Sequence, residues 1–198
     1  SLTATSQYGC SDTKDSSISS LSKPIASFSI LNSPGCSPYP ISIVNNTTNA
    51  DTLFWDFGDE STRTDLTPQN FTHTFYNNDT VHNQYNIMLV AKNKNGCNDT
   101  VVQNALIYPR ITSYFDVNIS GCSPLKIVTD NRSLGADEFN WDMGDGNTKF
   151  TFDTEHTYYN YSNVNVASYK LTLTTRSEYG CSAVYDTTIR IFPKPKSD

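Results

Sequence analysis

Trp55-Asp56-Phe57-Gly58-Asp59 and Trp141-Asp142-Met143-Gly144-Asp145 are one five-residue phrase written twice, 86 residues apart (141 − 55). Gly35-Cys36-Ser37-Pro38 returns at the same offset as Gly121-Cys122-Ser123-Pro124. Thr72-His73-Thr74-Phe75-Tyr76 answers Glu155-His156-Thr157-Tyr158-Tyr159, and Asn95-Gly96-Cys97 answers Tyr179-Gly180-Cys181. Four motifs in one order at nearly one period mark an internal repeat. The last motif occurs a third time, as Tyr8-Gly9-Cys10. Residues 1–23 therefore read as the closing hairpin of a preceding repeat, 24–109 as repeat one and 110–198 as repeat two.

Between these motifs the chain alternates. Tyr169, Leu171 and Leu173 are interleaved with Lys170, Thr172 and Thr174, so one face is wet and the other buried. Ile41 with Ile43, and Leu125 with Ile127, follow the same rule. Turn residues punctuate the alternating segments, and no window carries an apolar 3.6-residue period of helix length. Asn95-Gly96 is the favoured pair for a two-residue type I′ hairpin. About seven strands per repeat predict an all-β chain of tandem immunoglobulin-like sandwiches, with strands labelled A to G by that analogy. Tyr85 and Tyr169, opening the penultimate strand, stand where such sandwiches keep a corner tyrosine. Trp55 and Trp141 fill the two cores, each burying roughly 150–250 Å². Gly58 and Gly144 permit a turn that a Cβ would oppose. Asp56 and Asp59 accept backbone N–H groups there, with Asp142 and Asp145 in the same places of repeat two.

Composition removes several classes of function. The chain has 198 residues, 36% of them hydrophobic and 17% charged, as thin sandwiches with polar outer faces require. A net charge of −6 without any Lys/Arg cluster excludes a phosphate-tracking surface, so no nucleic acid partner is expected. The longest apolar run, Ile87 to Ala91, is far too short to span a bilayer, and no membrane insertion is expected. No signal peptide is visible, as in a mature product or an excised piece of one. Asp56 with Asp59 has the look of an acid/base pair, but an active site duplicated at a domain period is rare, and the pair reads as a turn motif. His73 and His156 read as packed or hydrogen-bonded strand residues, and His82 has no counterpart. No Ser/His/Asp, zinc or phosphate-loop spacing occurs, so no enzyme is expected. Asn-x-Ser/Thr sequons begin at Asn45, Asn46, Asn70, Asn78, Asn98, Asn118, Asn131 and Asn160.

The Trp-Asp-Phe-Gly-Asp phrase followed by the His-Thr-aromatic segment resembles the PKD domain, whose hallmark is Trp-Asp-Phe-Gly-Asp-Gly at the end of strand C. The likeness covers residues 24–109 and 110–198. Repeat two keeps the final glycine as Gly146, while Glu60 replaces it in repeat one and predicts an altered turn. The pairing of Gly-Cys-x-Pro with a hairpin Gly-Cys is similar to large surface proteins of the Bacteroidota, including adhesins of gliding cells, which implies type IX secretion and an extracellular, cell-surface location. Asp51-Thr52-Leu53, Asp79-Thr80-Val81 and Asp99-Thr100-Val101 resemble that group's O-glycosylation pattern. Some PKD domains bind calcium around strand C; the resemblance implies Asn140, Asp142 and Asp145 as oxygen ligands, although their spacing is not that of an EF-hand. No other cofactor is expected. The resemblance implies a non-catalytic spacer and adhesive segment whose partners are neighbouring repeats and an extracellular protein or glycan. The alternative is an accessory pair of a secreted protease or glycosidase, and Tyr158, Tyr159 and Tyr161 could then form an aromatic row.

Five cysteines at repeat-locked positions argue for an oxidising compartment. Two connectivities fit the spacing. One closes each repeat on itself, Cys36–Cys97 and Cys122–Cys181. In the other, Cys36 at the A–B turn and Cys97 at the F–G tip lie at opposite ends of a sandwich, about a strand length of 17–20 Å apart. Cys36 then pairs with Cys181 across the short linker Tyr108-Pro109-Arg110, leaving Cys97 to an upstream and Cys122 to a downstream neighbour.

Overall fold

The computed structural model describes residues 1–17 and 22–194. Residues 18–21, inside the stretch assigned to a preceding repeat, and 195–198 lie outside the described residues. Among the described residues every regular element is a strand, and no helix is long and apolar enough to cross a membrane.

β1 (Leu2–Thr5) and β2 (Ser11–Lys14) form an exposed antiparallel hairpin. The next eight strands are β3 (Phe28–Leu31), β4 (Gly35–Cys36), β5 (Tyr39–Asn45), β6 (Thr52–Asp56), β7 (Thr62–Asp65), β8 (Phe71–Phe75), β9 (Asn83–Lys92) and β10 (Asn98–Tyr108). They make a five-stranded sheet ordered β4-β10-β9-β6-β7 and a three-stranded sheet ordered β3-β5-β8. The remainder comprises β11 (Phe115–Asp116), β12 (Ser120–Cys122), β13 (Leu125–Val128), β14 (Asp130–Asn131), β15 (Glu138–Asp142), β16 (Thr148–Lys149), β17 (Glu155–Tyr158), β18 (Ala167–Arg176) and β19 (Ser182–Phe192). Here the five-stranded order returns as β12-β19-β18-β15-β16, opposed by the short pairs β13-β17 and β11-β14.

Two separate cores result. Trp55 is fully buried and packed edge-on by Phe28 and Phe71, each with its ring centroid 5.1 Å from that of the indole. Trp141, equally buried, meets Phe115 at 4.8 Å. The indole N–H of Trp141 donates to the Thr151 carbonyl. That of Trp55 is buried without an acceptor at hydrogen-bond distance. Burial pushes the Asp65 carboxyl up, but the hydrogen bonds from Arg63 and Gln69 outweigh it and hold the group below its ordinary value.

The first strand of each sandwich changes sheets. β3 runs antiparallel to β5, after which Pro34, lacking an N–H, cannot extend that ladder. The chain crosses over, and β4 runs parallel to the end of β10, with Gly35 beside Ile107 and Cys36 beside Tyr108. In the second sandwich Gly121 lies beside Ile191 and Cys122 beside Phe192.

Buried asparagines lock the end where this happens. The Asn77 side chain donates to the Val81 and Ile107 carbonyls and accepts from the Asp79 N–H, while its backbone N–H donates to Ser37 Oγ. Asn160 repeats the pattern with Asn165, Ile191, Ser162 and Ser123. The Tyr85 hydroxyl donates to the Tyr76 carbonyl at 2.8 Å and that of Tyr169 to Tyr159 at 3.4 Å, so both occupy the corner position.

The hairpin turn differs from the two-residue type I′ form. Asn93 pairs with Cys97, enclosing Lys94, Asn95 and Gly96, and only the glycine takes a left-handed φ, 83°. This three-residue loop is a type I turn closed by a glycine bulge. Asn93 Oδ1 drives it by accepting the N–H groups of Asn95 and Cys97.

Replacing Asn77 by alanine should cost about 1–3 kcal/mol for each buried carbonyl it orphans. Urea unfolding would measure it, and a change below 0.5 kcal/mol (roughly the scatter of surface substitutions) would contradict this assignment.

Candidate functional site

The duplicated turn follows β6 and β15. Asp56 Oδ1 accepts the Gly58 N–H at 2.9 Å, and Asp142 Oδ1 accepts that of Gly144 at 2.8 Å. Both glycines have φ of 74°, and a Cβ on Gly58 would lie 2.9 Å from the Asn86 carbonyl oxygen. A side chain there is opposed by both conformation and contact. Glu60 adopts φ of 70° where Gly146 has 94°. The turn of the first sandwich is therefore kept, not altered, at a cost of about 1–2 kcal/mol in left-handed strain.

The second aspartate of each turn reaches the opposite sheet. Asp59 Oδ2 lies 2.7 Å from His73 Nε2 on β8, and Asp145 Oδ2 lies 2.7 Å from His156 Nε2 on β17. Asp59 Oδ1 also accepts from the Ser61 N–H and hydroxyl, and Asp145 Oδ1 from Asn147. His73 stacks flat on Phe57 at 3.9 Å. The motif is a clasp between two sheets.

As chemistry the clasp is poorly arranged. A Ser-His-Asp relay needs carboxylate and hydroxyl on different ring nitrogens. Here Asp59 and Ser61 address the same Nε2, and Ser61 donates to Asp59. Asn147 replaces the serine in the second sandwich. The calcium set fares similarly. Asp142 caps its own turn, and Asp145 spends its two oxygens on Asn147 and His156. Among the described residues no group of three His, Cys, Asp or Glu could hold a metal ion. Two sequons are occupied by structure: Asn131 donates to the Phe152 carbonyl and Asn160 to two carbonyls, both from buried positions. Of the tyrosine row, Tyr158 is buried, with its hydroxyl on the Met143 carbonyl, while Tyr159 and Tyr161 stack on the surface.

The remaining arrangement with functional consequence lies between the two cores. Cys36 and Cys181 form a disulfide with Cα atoms 5.7 Å apart. The intra-repeat pairing Cys36–Cys97 and Cys122–Cys181 is not formed; Cys10, Cys97 and Cys122 are free. Tyr179, two residues before Cys181, stacks on Tyr108 at 4.8 Å and 14°, with His82 edge-on at 6.0 Å. The Arg110 N–H donates to the Asn77 carbonyl, so the linker itself is bonded to the first sandwich. Tyr179 in its motif, Tyr108 in the linker and His82 without a counterpart are each visible in the sequence, but their stacking at the junction is not. The available signal was the identity of Ser6-x-Tyr8-Gly9-Cys10-Ser11 with Ser177-x-Tyr179-Gly180-Cys181-Ser182.

The fold is all-β. No family model matches the chain, and no curated protein matches its sequence. Among solved structures it is similar to the PKD1 domain of the Vibrio cholerae metalloprotease PrtV, at 22% identity over 41% of this chain and 95% of that one, with a TM-score of 0.33. Similarity to the fibronectin(III)-like modules of Clostridium thermocellum CbhA covers 85% of this chain and 95% of that one, at 13% identity and a TM-score of 0.35. A 1.5-MDa bacterial ice-binding adhesin aligns over 90% of this chain and 68% of that one, at 11% identity and a TM-score of 0.36. At these scores the fold assignment rests on the strand pairing itself.

Burial pushes the Asp59 carboxyl up, but the hydrogen bonds from Ser61 and His73 outweigh it and hold the group below its ordinary value. Asp145 is lowered against burial by His156 and Asn147. A carboxyl whose folded value is depressed stabilises fully above its unfolded value, near pH 4, and loses that stabilisation as pH falls through the folded value. Stability should therefore decline on acidification below about pH 4. The double variant Asp59→Asn, Asp145→Asn should lose about 1–3 kcal/mol per site at pH 7 and flatten that decline. Thermal melts from pH 2 to 7 test this; an unchanged acid slope would contradict it.

Proposed function

We propose that the chain is a non-catalytic segment of tandem PKD-like sandwiches in an extracellular bacterial surface protein, acting as a rigid spacer that presents its loops to an extracellular protein or glycan. The observation that carries the reading is the Cys36–Cys181 bridge, which joins the end of one sandwich to the F–G tip of the next. Interdomain contacts within a chain ordinarily leave domains free to move. A covalent bridge, an aromatic stack and a linker hydrogen-bonded to the first sandwich each remove hinge freedom. Disulfide use agrees with an oxidising, extracellular compartment. The duplicated aspartates and histidines are engaged in clasping sheets, which supports a non-catalytic role.

An accessory role beside a polymer-degrading enzyme draws on a different observation. A cleft of about 440 Å³ on the second sandwich is lined by Asp137, Glu138, Phe139, Asn140, Phe150, Thr174 and Arg176, with Phe150 73% exposed. Phe152, also exposed, meets Phe139 edge-on at 5.0 Å. Exposed aromatics among carboxylate, amide and guanidinium groups suit a sugar face and its hydroxyls, and the cleft serves equally in a glycan-binding spacer.

Small-angle scattering tests the spacer. The oxidised chain should fit a single interdomain orientation, and the Cys36→Ser, Cys181→Ser variant should broaden it. A broad distribution in the oxidised chain would refute rigidity. The purified chain should hydrolyse neither proteins nor polysaccharides, and turnover abolished by Asp59→Asn or Asp145→Asn would overturn the non-catalytic reading.

A further inference from the structure

The two sandwiches differ at one sheet edge, and the cause is chain length. From the motif tryptophan to the clasping histidine the first sandwich has 18 residues (73 − 55) and the second 15 (156 − 141). In the first, β7 pairs with β6 from Asp56 beside Thr62 to Leu53 beside Asp65. In the second, β16 pairs with β15 only at Asp142 beside Thr148 and Trp141 beside Lys149. The shorter chain leaves the sheet early to reach β17. The Thr151 carbonyl takes the Trp141 indole N–H instead of a place in the ladder.

Phe139 is the residue this leaves open. Along an antiparallel strand the backbone groups point alternately to one neighbour and to the other. The Met143 N–H donates to the Asn147 carbonyl, on the β16 side. Trp141 and Phe139 therefore point their N–H and C=O the same way, whereas Glu138 and Asn140 face β18 beside Arg176 and Thr174. Leu53, the equivalent of Phe139, has Asp65 opposite it. Among the described residues no strand stands opposite Phe139 on that side. Phe139 lines the cleft of about 440 Å³ together with Glu138, Asn140 and Phe150. Its ring packs against the core and meets Phe152 edge-on, so what Phe139 offers the cleft is its main chain.

We propose that this open rung binds an extended peptide of a partner protein, which adds to β15 as a strand in the place that β16 vacates. One N–H and one C=O on the same side of a residue match a residue of another extended chain, which carries its own pair on one side. The acetamido group of a sugar is a planar trans amide; its N–H and C=O point in opposite directions, and it meets only one of the two. The peptide's central side chain falls on the face of Phe139, beside the exposed Phe152, and is apolar. Its two neighbours fall on the face of Glu138 and Asn140. Two carboxylates, Asp137 and Glu138, against the single guanidinium of Arg176 favour lysine or arginine there. Phe150, exposed on the rim, is placed to cover the added chain. The proposal rests on the reading of the chain as a spacer that engages an extracellular protein, and names the edge it uses.

Amide exchange of the isotopically labelled chain, read by NMR, tests this in two steps. In the free chain the Phe139 amide should exchange faster than that of Leu53; equal protection would mean a closed rung and overturn the proposal. The chain is then titrated with the blocked pentapeptide acetyl-Thr-Lys-Val-Lys-Thr-amide. At about nine times its Kd, exchange at Phe139 should slow about tenfold. N-methylation of the valine, which removes the N–H meant for the Phe139 carbonyl, should abolish the effect. Phe150→Ala should weaken binding about 4-fold, the worth of one buried methylene. No response at Phe139 in millimolar peptide, or binding indifferent to N-methylation, would overturn the proposal. So would protection by a neutral gluco-oligosaccharide in place of the peptide, or protection that grows with chain concentration alone and so makes a second copy the occupant. Any of these with a single interdomain orientation in scattering leaves the spacer reading standing, whereas a broad distribution with peptide binding intact refutes rigidity alone.

Discussion

The parallel pairing of Cys36 beside Tyr108 is the constraint on which the arrangement depends. A strand that stayed in the three-stranded sheet would leave Cys36 away from the end of β10. Because the chain changes sheets after β3, the thiol lies at the last rung of β10, where the linker begins. The next sandwich presents its β18–β19 hairpin there, and a left-handed glycine at Gly180 points that hairpin with Cys181 and Tyr179 forward. Asn77 holds the same end, bonding the β10 terminus through Ile107 and receiving the linker through Arg110. Junction and fold are thus one hydrogen-bonded unit.

Inside each sandwich the Trp-Asp-x-Gly-Asp turn adds a charged tie between the two sheets. Its glycine lies against the backbone of the penultimate strand, and its last aspartate crosses to a histidine on the opposite sheet. The two copies reach this by different packing. Phe57 stacks on His73 above Phe75 in the first, whereas Met143 and Tyr158 take those places in the second. The larger phenol buries its hydroxyl against the Met143 carbonyl, and burial pushes its pKa well up. Volume is kept while chemistry changes, as cores tolerate best.

Periodicity and turn chemistry made the all-β class, the buried tryptophans, the corner tyrosines and the role of Gly58 and Gly144 legible in the sequence, because each is a local rule. Long-range partners were not. His73 and Asp59 were both singled out, yet their bond crosses between sheets and depends on a relative placement that no spacing encodes. Asn77 passed unnoticed because asparagine is common here, and burial alone distinguishes it. Asn95-Gly96 suggested a two-residue turn, but the Asn93 side chain captures two backbone N–H groups and makes three residues the better loop. Glu60 shows the reverse, a residue that its position disfavours and the surrounding pairing imposes. The disulfide was legible only as a pair of alternatives, since connectivity needs the ends of the strands located in space.

Peptide mapping of the oxidised, unreduced chain tests the central claim most directly. The account predicts a peptide pair joining Cys36 to Cys181 in the monomeric fraction. A pair joining Cys36 to Cys97, or Cys122 to Cys181, would contradict it, for each sandwich would then be closed on itself and no disulfide would hold the two in line.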